Sequence, residues 1–305
     1  MYIEQIKKLK SPPILFFILP AGFIFLIILN TIMSVGVDTN EVIKDTIETF
    51  GVNATFVMLI APLSIALFIV LFWAKFIQGQ SLTSLTTSRQ KIDWKRVLFS
   101  FSVWSIITSV MILVSYWASP ENFVWNFNSE KFFTFLVLAL LLIPLQTSFE
   151  EYLFRGHLMQ GLGLVTNSRL IPLLVTSILF GLMHIGNPEV GKVGYIIMVY
   201  YIGTGLFLGI LTLMDEGLEL ALGFHAANNL VGALLLTADW TAFQTHSILK
   251  DVSEPSAGFE IVLPVFVIFP LLLFLFSKVY QWNNWKARLT GSLQNLPEKY
   301  ASSSL

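Results

Sequence analysis

Ionisable side chains stand in this chain where the surrounding residues are oily, and their spacing is that of hydrolytic chemistry. The stretch "SFEEYLFRGH" sets Glu150, Glu151, Arg155 and His157 directly after the apolar run "FFTFLVLALLLIPLQT". An ionised group at the centre of a bilayer costs at least about 2.5–3.5 kcal/mol, so it normally faces a cavity or a partner. On a helix, Glu151 and Arg155 stand at i and i+4 with the acid first, the favourable order for an ion pair. Glu150 points about 100° away around the axis and has no evident local partner. The spacing predicts a structural Glu151 and a reactive Glu150, a carboxylate placed to take and return a proton. The bland alternative is that these charges snorkel from the end of a span to the headgroups.

The four histidines of the chain extend this reading. "FGLMH" puts Phe180 and His184 at i and i+4, so the ring can brace the imidazole. "HAANN" puts His225 and Asn229 at the same spacing, two donors on one helix face, with Asn228 off that direction. Each alone is the kind of polar group that ties membrane helices together. On three separate spans they supply a carboxylate, an imidazole and a donor pair, the components of water activation and oxyanion stabilisation. His157 is expected at the inner interface, His246 in an outer loop and Asn187 at an outer mouth, none of them with a catalytic role. The chain has no cysteine, which excludes cysteine nucleophiles, thiolate metal sites and disulfides.

Membrane helices must position these groups. Of 305 residues, 55% are hydrophobic and 12% charged, against about 25% charged in soluble domains. A net charge of -1 offers no basic footprint for nucleic acid. Apolar runs long enough to span a bilayer fall at about 13–34, 52–74, 97–117, 132–154, 170–186, 193–213, 218–237 and 258–280. The expectation is an all-α polytopic bundle of about eight spans, residues 1–305 forming a single integral membrane domain with a motif-bearing core at 145–235. A basic start before the first apolar run reads as an uncleaved span. With the N-terminus inside, the inner segments hold 14 Lys and Arg and the outer ones only Lys44, Lys131, Lys192 and Lys250, a bias for both termini in the cytoplasm. Short loops point to a prokaryotic plasma membrane, with the endoplasmic reticulum as the alternative. One conflict arises: these boundaries put Glu150 and His225 in the inner half and His184 toward the outer end. Either the fourth helix runs on past Arg155 into "GHLMQGLG", or the fifth is tilted or broken.

Glu150-Glu151-x-x-x-Arg155, Phe180-x-x-x-His184 and His225-x-x-x-Asn229 resemble, in order, the three signature motifs of the CAAX protease and bacteriocin-processing family, also called the Abi family. The resemblance implies an intramembrane endopeptidase whose cavity opens toward the cytoplasm. It implies that Glu150 and His184 activate water and that His225 and Asn229 stabilise the oxyanion, with Glu151, Arg155 and Phe180 in support. The substrate would be a peptide or lipidated protein in the bilayer, such as a prenylated CAAX-type protein or a bacteriocin or signal-peptide precursor. No cofactor is required on this reading. The alternative is zinc, for which Glu150, His184 and His225 have the right ligand types. Two other functions compete: a non-catalytic immunity or regulatory partner, and a proton-coupled transporter, for which no inverted repeat is evident.

Overall fold

The computed structural model describes residues 1–256 and 258–293; the C-terminal end with Lys299, counted above on the inner side, lies outside the described residues. Helix α1 (Leu15–Met33) leads through an amphipathic α2 (Thr39–Phe50) to α3 (Val52–Phe72). A short α4 (Leu82–Thr86) precedes α5 (Trp94–Ala118). Helix α6 (Ser129–Glu151) continues through a π-helical turn, Tyr152–Leu158, into α7 (Met159–Thr166). Then follow α8 (Leu170–Leu182), α9 (Pro188–Val193), α10 (Met198–Asp215), α11 (Glu219–Leu235), α12 (Phe259–Leu263), α13 (Phe269–Val279) and α14 (Trp285–Thr290).

The chain is an all-α polytopic membrane bundle. All eight predicted apolar segments contain helix, and among the described residues six helical stretches are long and apolar enough to cross a membrane. The two remaining segments are the 13 residues of α8 and the 17 of α11. Helix α8 reaches only about 20 Å, short of a hydrocarbon core of about 30 Å. It ends at Leu182 in tight turns, with His184 N–H donating to Gly181 O and Ile185 N–H to Leu182 O. Pro188 in "HIGNP" bars its resumption: the residue before a proline is driven out of the helical region, and Asn187 is extended at ψ 144°. Non-helical backbone at membrane depth is tolerated where it lines a cavity.

The conflict in depth resolves on both sides. Residues 129–166 form one helical stretch of 38 residues, about 57 Å long, so Glu150 sits in the interior of that stretch and not at its end. His184 stands just past the broken end of α8.

Packing around the site depends on close approach and on rings. Helices α8 and α10 touch at Gly205, where an added Cβ would lie 2.6 Å from Ser177 O. Behind the site, Phe207 stacks on Phe269 at 4.6 Å and Trp104 tilts against Phe224 at 4.4 Å. Leu153, Phe154, Leu211 and Leu220 complete that buried core. Many apolar side chains of α1, α3 and α13, such as Phe25, Phe68 and Phe274, are exposed on the outside, as helices facing lipid require.

The two ends of the bundle differ. At the end bearing Met1, Arg89 and Arg96 both pair with the buried Asp215, Arg89 also reaches Glu219 at 3.2 Å, and Arg288 meets Glu216 at 3.2 Å. The N-terminal turn seals this end: Tyr2, Ile3 and Ile6 are buried, and the Tyr2 hydroxyl donates to Leu85 O at 2.6 Å. The opposite end carries α2, α9 and a small sheet that the sequence reading did not foresee. There β1 (Phe123–Trp125) pairs antiparallel with β3 (Leu249–Asp251), and β2 (Leu236–Ala238) pairs parallel with β3. Each strand has three residues, too few to leave a period-2 signature.

Candidate active site

Helix α6 and the π turn after it carry the acidic arm. Glu150 is 5% exposed, and Glu151 and Arg155 are fully buried. Arg155 Nη1 donates to Glu151 Oε1 at 3.0 Å, the i,i+4 pair read from the sequence. Arg155 Nη2 donates to Gly205 O at 2.9 Å, tying α10 to the pair. The same Glu151 oxygen lies 2.8 Å from His225 Nδ1, so this carboxylate joins α6 to α11 as well as closing its own helix turn. A carboxylate oxygen accepts, so Nδ1 carries the proton and Nε2 faces the site. His225 Nε2 stands 3.7 Å from Glu150 Oε2, an oxygen with no hydrogen bond of its own.

Glu150 does have a local partner, one turn earlier. Gln146 Nε2 donates to Glu150 Oε1. Asn229 Nδ2 donates to Gln146 Oε1 at 3.3 Å, and Asn228 Nδ2 donates to Asn229 Oδ1 at 3.1 Å. Asn228 Oδ1 in turn accepts from Trp104 Nε1 and from the Tyr200 hydroxyl, each at 3.0 Å. This relay of amides runs from α5 and α10 to one oxygen of Glu150 and leaves the other free. Gln146 was legible in principle at i−4 from Glu150. A lone glutamine in an apolar helix reads as interhelical glue, and nothing in the sequence alone brings Trp104 or Tyr200 to Asn228.

Phe180 is the hub between the arms. Its ring lies 4.5 Å from Arg155 Cζ, 5.0 Å from the His184 ring and 5.6 Å from the His225 ring. His184 Nδ1 donates to Phe180 O at 2.8 Å, leaving Nε2 as a proton acceptor. The other face of His184 stacks on Tyr201 at 4.4 Å, whose hydroxyl accepts from Asn187 at 3.2 Å. Two cavities share His184, Asn187 and Asn229 in their walls. One, of about 370 Å³, reaches Glu150 and has an apolar wall that includes Phe23, Ile27, Leu59 and Leu63. The other, of about 250 Å³, is lined by Tyr200, Tyr201, Asn228 and Glu189. Glu189 went unread in the sequence. Burial pushes its carboxyl pKa up, opposed by the backbone N–H groups of Glu189 and Ala242.

The structure thus brings Glu150, Glu151, Arg155, Phe180, His184, His225 and Asn229 into one neighbourhood. It keeps His246 away in the loop between β2 and β3. His157, expected at the inner interface, is buried within the π turn with Nδ1 3.1 Å from Tyr152 O and its ring 6.3 Å from that of Phe16, near the start of α1. Among the described residues, no three His, Asp or Glu side chains gather as a metal cage.

A membrane helix bundle holding two buried carboxylates, two imidazoles and an amide relay belongs to the class of integral membrane proteins with a built polar site. Residues 129–231 are similar to the family model described as type II CAAX prenyl endopeptidase Rce1-like; the matched segment contains all seven residues just named. The chain is also similar to the uncharacterized protein YyaK of Bacillus subtilis (strain 168), with 31% identity over 164 residues, 53% of this chain and 55% of that protein. The chain therefore matches about half the length of that curated relative. No solved structure matches.

Proposed function

We propose that the protein is an intramembrane endopeptidase of CAAX type that hydrolyses a peptide bond with water activated by Glu150. The observation that carries this reading is the division of Glu150: Oε1 is held by Gln146, while Oε2 is buried, unbonded and 3.7 Å from His225 Nε2. Oε2 takes the proton of a water that His184 Nε2 helps orient, and the hydroxide attacks the scissile carbonyl. Asn229 has a second N–H beyond the one given to Gln146, and it meets the developing oxyanion. His225 donates there when its Nε2 is also protonated, with Glu151 as counter-charge. Glu150 then returns its proton to the leaving amine. No covalent intermediate is needed. The apolar wall of the larger cavity suits an apolar or lipidated peptide segment.

The test compares new peptide termini in membranes containing the wild type, Glu150→Gln or Asn229→Ala at matched abundance. Loss of the general base is expected to lower cleavage about 100- to 10,000-fold, and loss of one oxyanion donor about 100- to 1000-fold. Termini that persist in the Glu150→Gln membranes would sink the proposal. One equivalent of bound zinc, lost on Glu150→Ala, would replace the metal-free route with a metal-assisted one.

A further inference from the structure

The larger cavity has a closed end and an open one. Below Glu150 lie Leu153, Phe154 and Leu158, all buried. Beneath them the basic end is sealed by the Tyr2 turn and by the ion pairs of Asp215 and Glu219. A pocket of about 230 Å³ at that end is bounded by Arg89, Arg96 and Asp215 and shares no wall with the site. In the other direction the cavity wall runs from Gln146 and Glu150 past His184 to Asn30, Thr39, Asn187 and Ala242. These are the outer end of α1, the start of α2, the turn before α9 and the loop after β2. Two tethers cross this rim: Gln244 Nε2 donates to Asn40 Oδ1 at 3.1 Å, and Lys192 stands 3.8 Å from Asp38.

Charge fixes which end faces which compartment. The sealed end carries Arg89, Lys91, Lys95, Arg96, Arg169 and Arg288, whereas among the described residues the open end has only the lysines Lys44, Lys131, Lys192 and Lys250 and carries acids such as Glu41, Asp45, Glu48 and Asp239. Lys and Arg concentrate on the cytoplasmic side of short-looped membrane proteins. We propose that the active-site cavity opens on the non-cytoplasmic side, so that its substrate is a polypeptide segment presented from that side, as an exported or membrane-anchored chain would be. This reverses the cytoplasmic opening that the family resemblance implies. The substrate part rests on the endopeptidase reading, whereas the orientation rests on charge and cavity shape alone. A C-terminal box on a cytoplasmic protein would meet the sealed end.

The absence of native cysteine makes orientation directly measurable. Glu41→Cys and Ala242→Cys place reporters at the open end; Lys91→Cys and Lys278→Cys place them at the sealed end. With a membrane-impermeant maleimide, the first two should label in intact cells. The other two should lose that labelling and regain it in inverted vesicles. The opposite pattern, or equal labelling of both ends in intact cells, overturns the proposal. The same reporters in a Glu150→Gln background should label unchanged, so an inactive protein still reports its orientation. A chain that cleaves but labels in reverse overturns the orientation and leaves the endopeptidase reading standing.

Discussion

Glu151 shares one oxygen between Arg155 and His225, and all three side chains are at least nine-tenths buried. Replacing it leaves an arginine buried without its counter-charge, a change that typically costs about 3–5 kcal/mol. Glu151→Gln should therefore lower the unfolding midpoint in detergent strongly and abolish cleavage together with it. Glu150 accepts from a neutral amide only, so Glu150→Gln should leave the unfolding midpoint near that of the wild type while cleavage collapses. An equal loss of stability in both variants would mean that the two glutamates do not divide as argued. Glu189 makes a separate, pH-dependent prediction. Its folded pKa is raised by burial, so its stabilising contribution is full below the unfolded pKa and is lost as pH rises through the folded one. Glu189→Gln should remove that decline, visible as a flatter curve of unfolding midpoint against pH above the ordinary carboxylate range. An unchanged curve would dismiss the carboxyl as its source. The residues legible in the sequence were those whose partners lie one turn away: Arg155 for Glu151, Phe180 for His184. The contacts that had to be seen in space join different helices, as Glu151 to His225, Asn228 to Trp104 and His184 to Tyr201.

At the scale of elements, hydropathy located the long helices well, because a run of about 20 apolar residues is a strong signal. It was least exact at α8, already short at 170–186, where a 13-residue helix and the start of a turn make up the apolar stretch. The chain leaves the helix after Leu182, and His184 in the turns that follow stacks on Tyr201, so the loss of helix is part of how the site is built. The contact of α8 with α10 is as exacting. A methyl group at Gly205 would press on Ser177 backbone atoms at 2.6–3.2 Å, and Gly205 O is the acceptor of Arg155. Gly205→Ala should destabilise by about 1–3 kcal/mol, the usual range for overpacking, and should reduce cleavage. Gly22→Ala, on α1 with nothing within 4 Å of the new atom, should be neutral or stabilising by up to about 1 kcal/mol. Unfolding midpoints of the two variants, measured side by side, check the argument; a tolerant Gly205 would mean that α8 and α10 can part without harm.

The whole molecule has one sealed end and one open end, and hydropathy cannot read that, since it reports depth but not which end is plugged. The seal is local in sequence yet global in effect. Tyr2→Ala removes a fully buried ring and its bond to Leu85 O. It should cost about 3–5 kcal/mol, as truncation of large buried aromatics does, measurable as a lower unfolding midpoint; a midpoint equal to the wild type's would show the turn to be dispensable. The π turn at Tyr152–Leu158 also acts across the whole bundle. Its i→i+5 bonds take up one residue more per turn than an α-helix does, and this sets the angular phase of everything after it. Downstream, Gln160 accepts from Gln80 at 3.0 Å, and Gly163 gives room to Ile3, whose Cγ2 would stand 2.6 Å from an added Cβ. Winding the same seven residues as an α-helix would rotate that whole segment by about 100°. It would turn a different side chain toward Ile3 and toward Gln80 while leaving Glu150 and Glu151 untouched. The chain thus contains a frameshift in three dimensions: a change of winding that keeps every catalytic letter and still dismantles the seal beneath them.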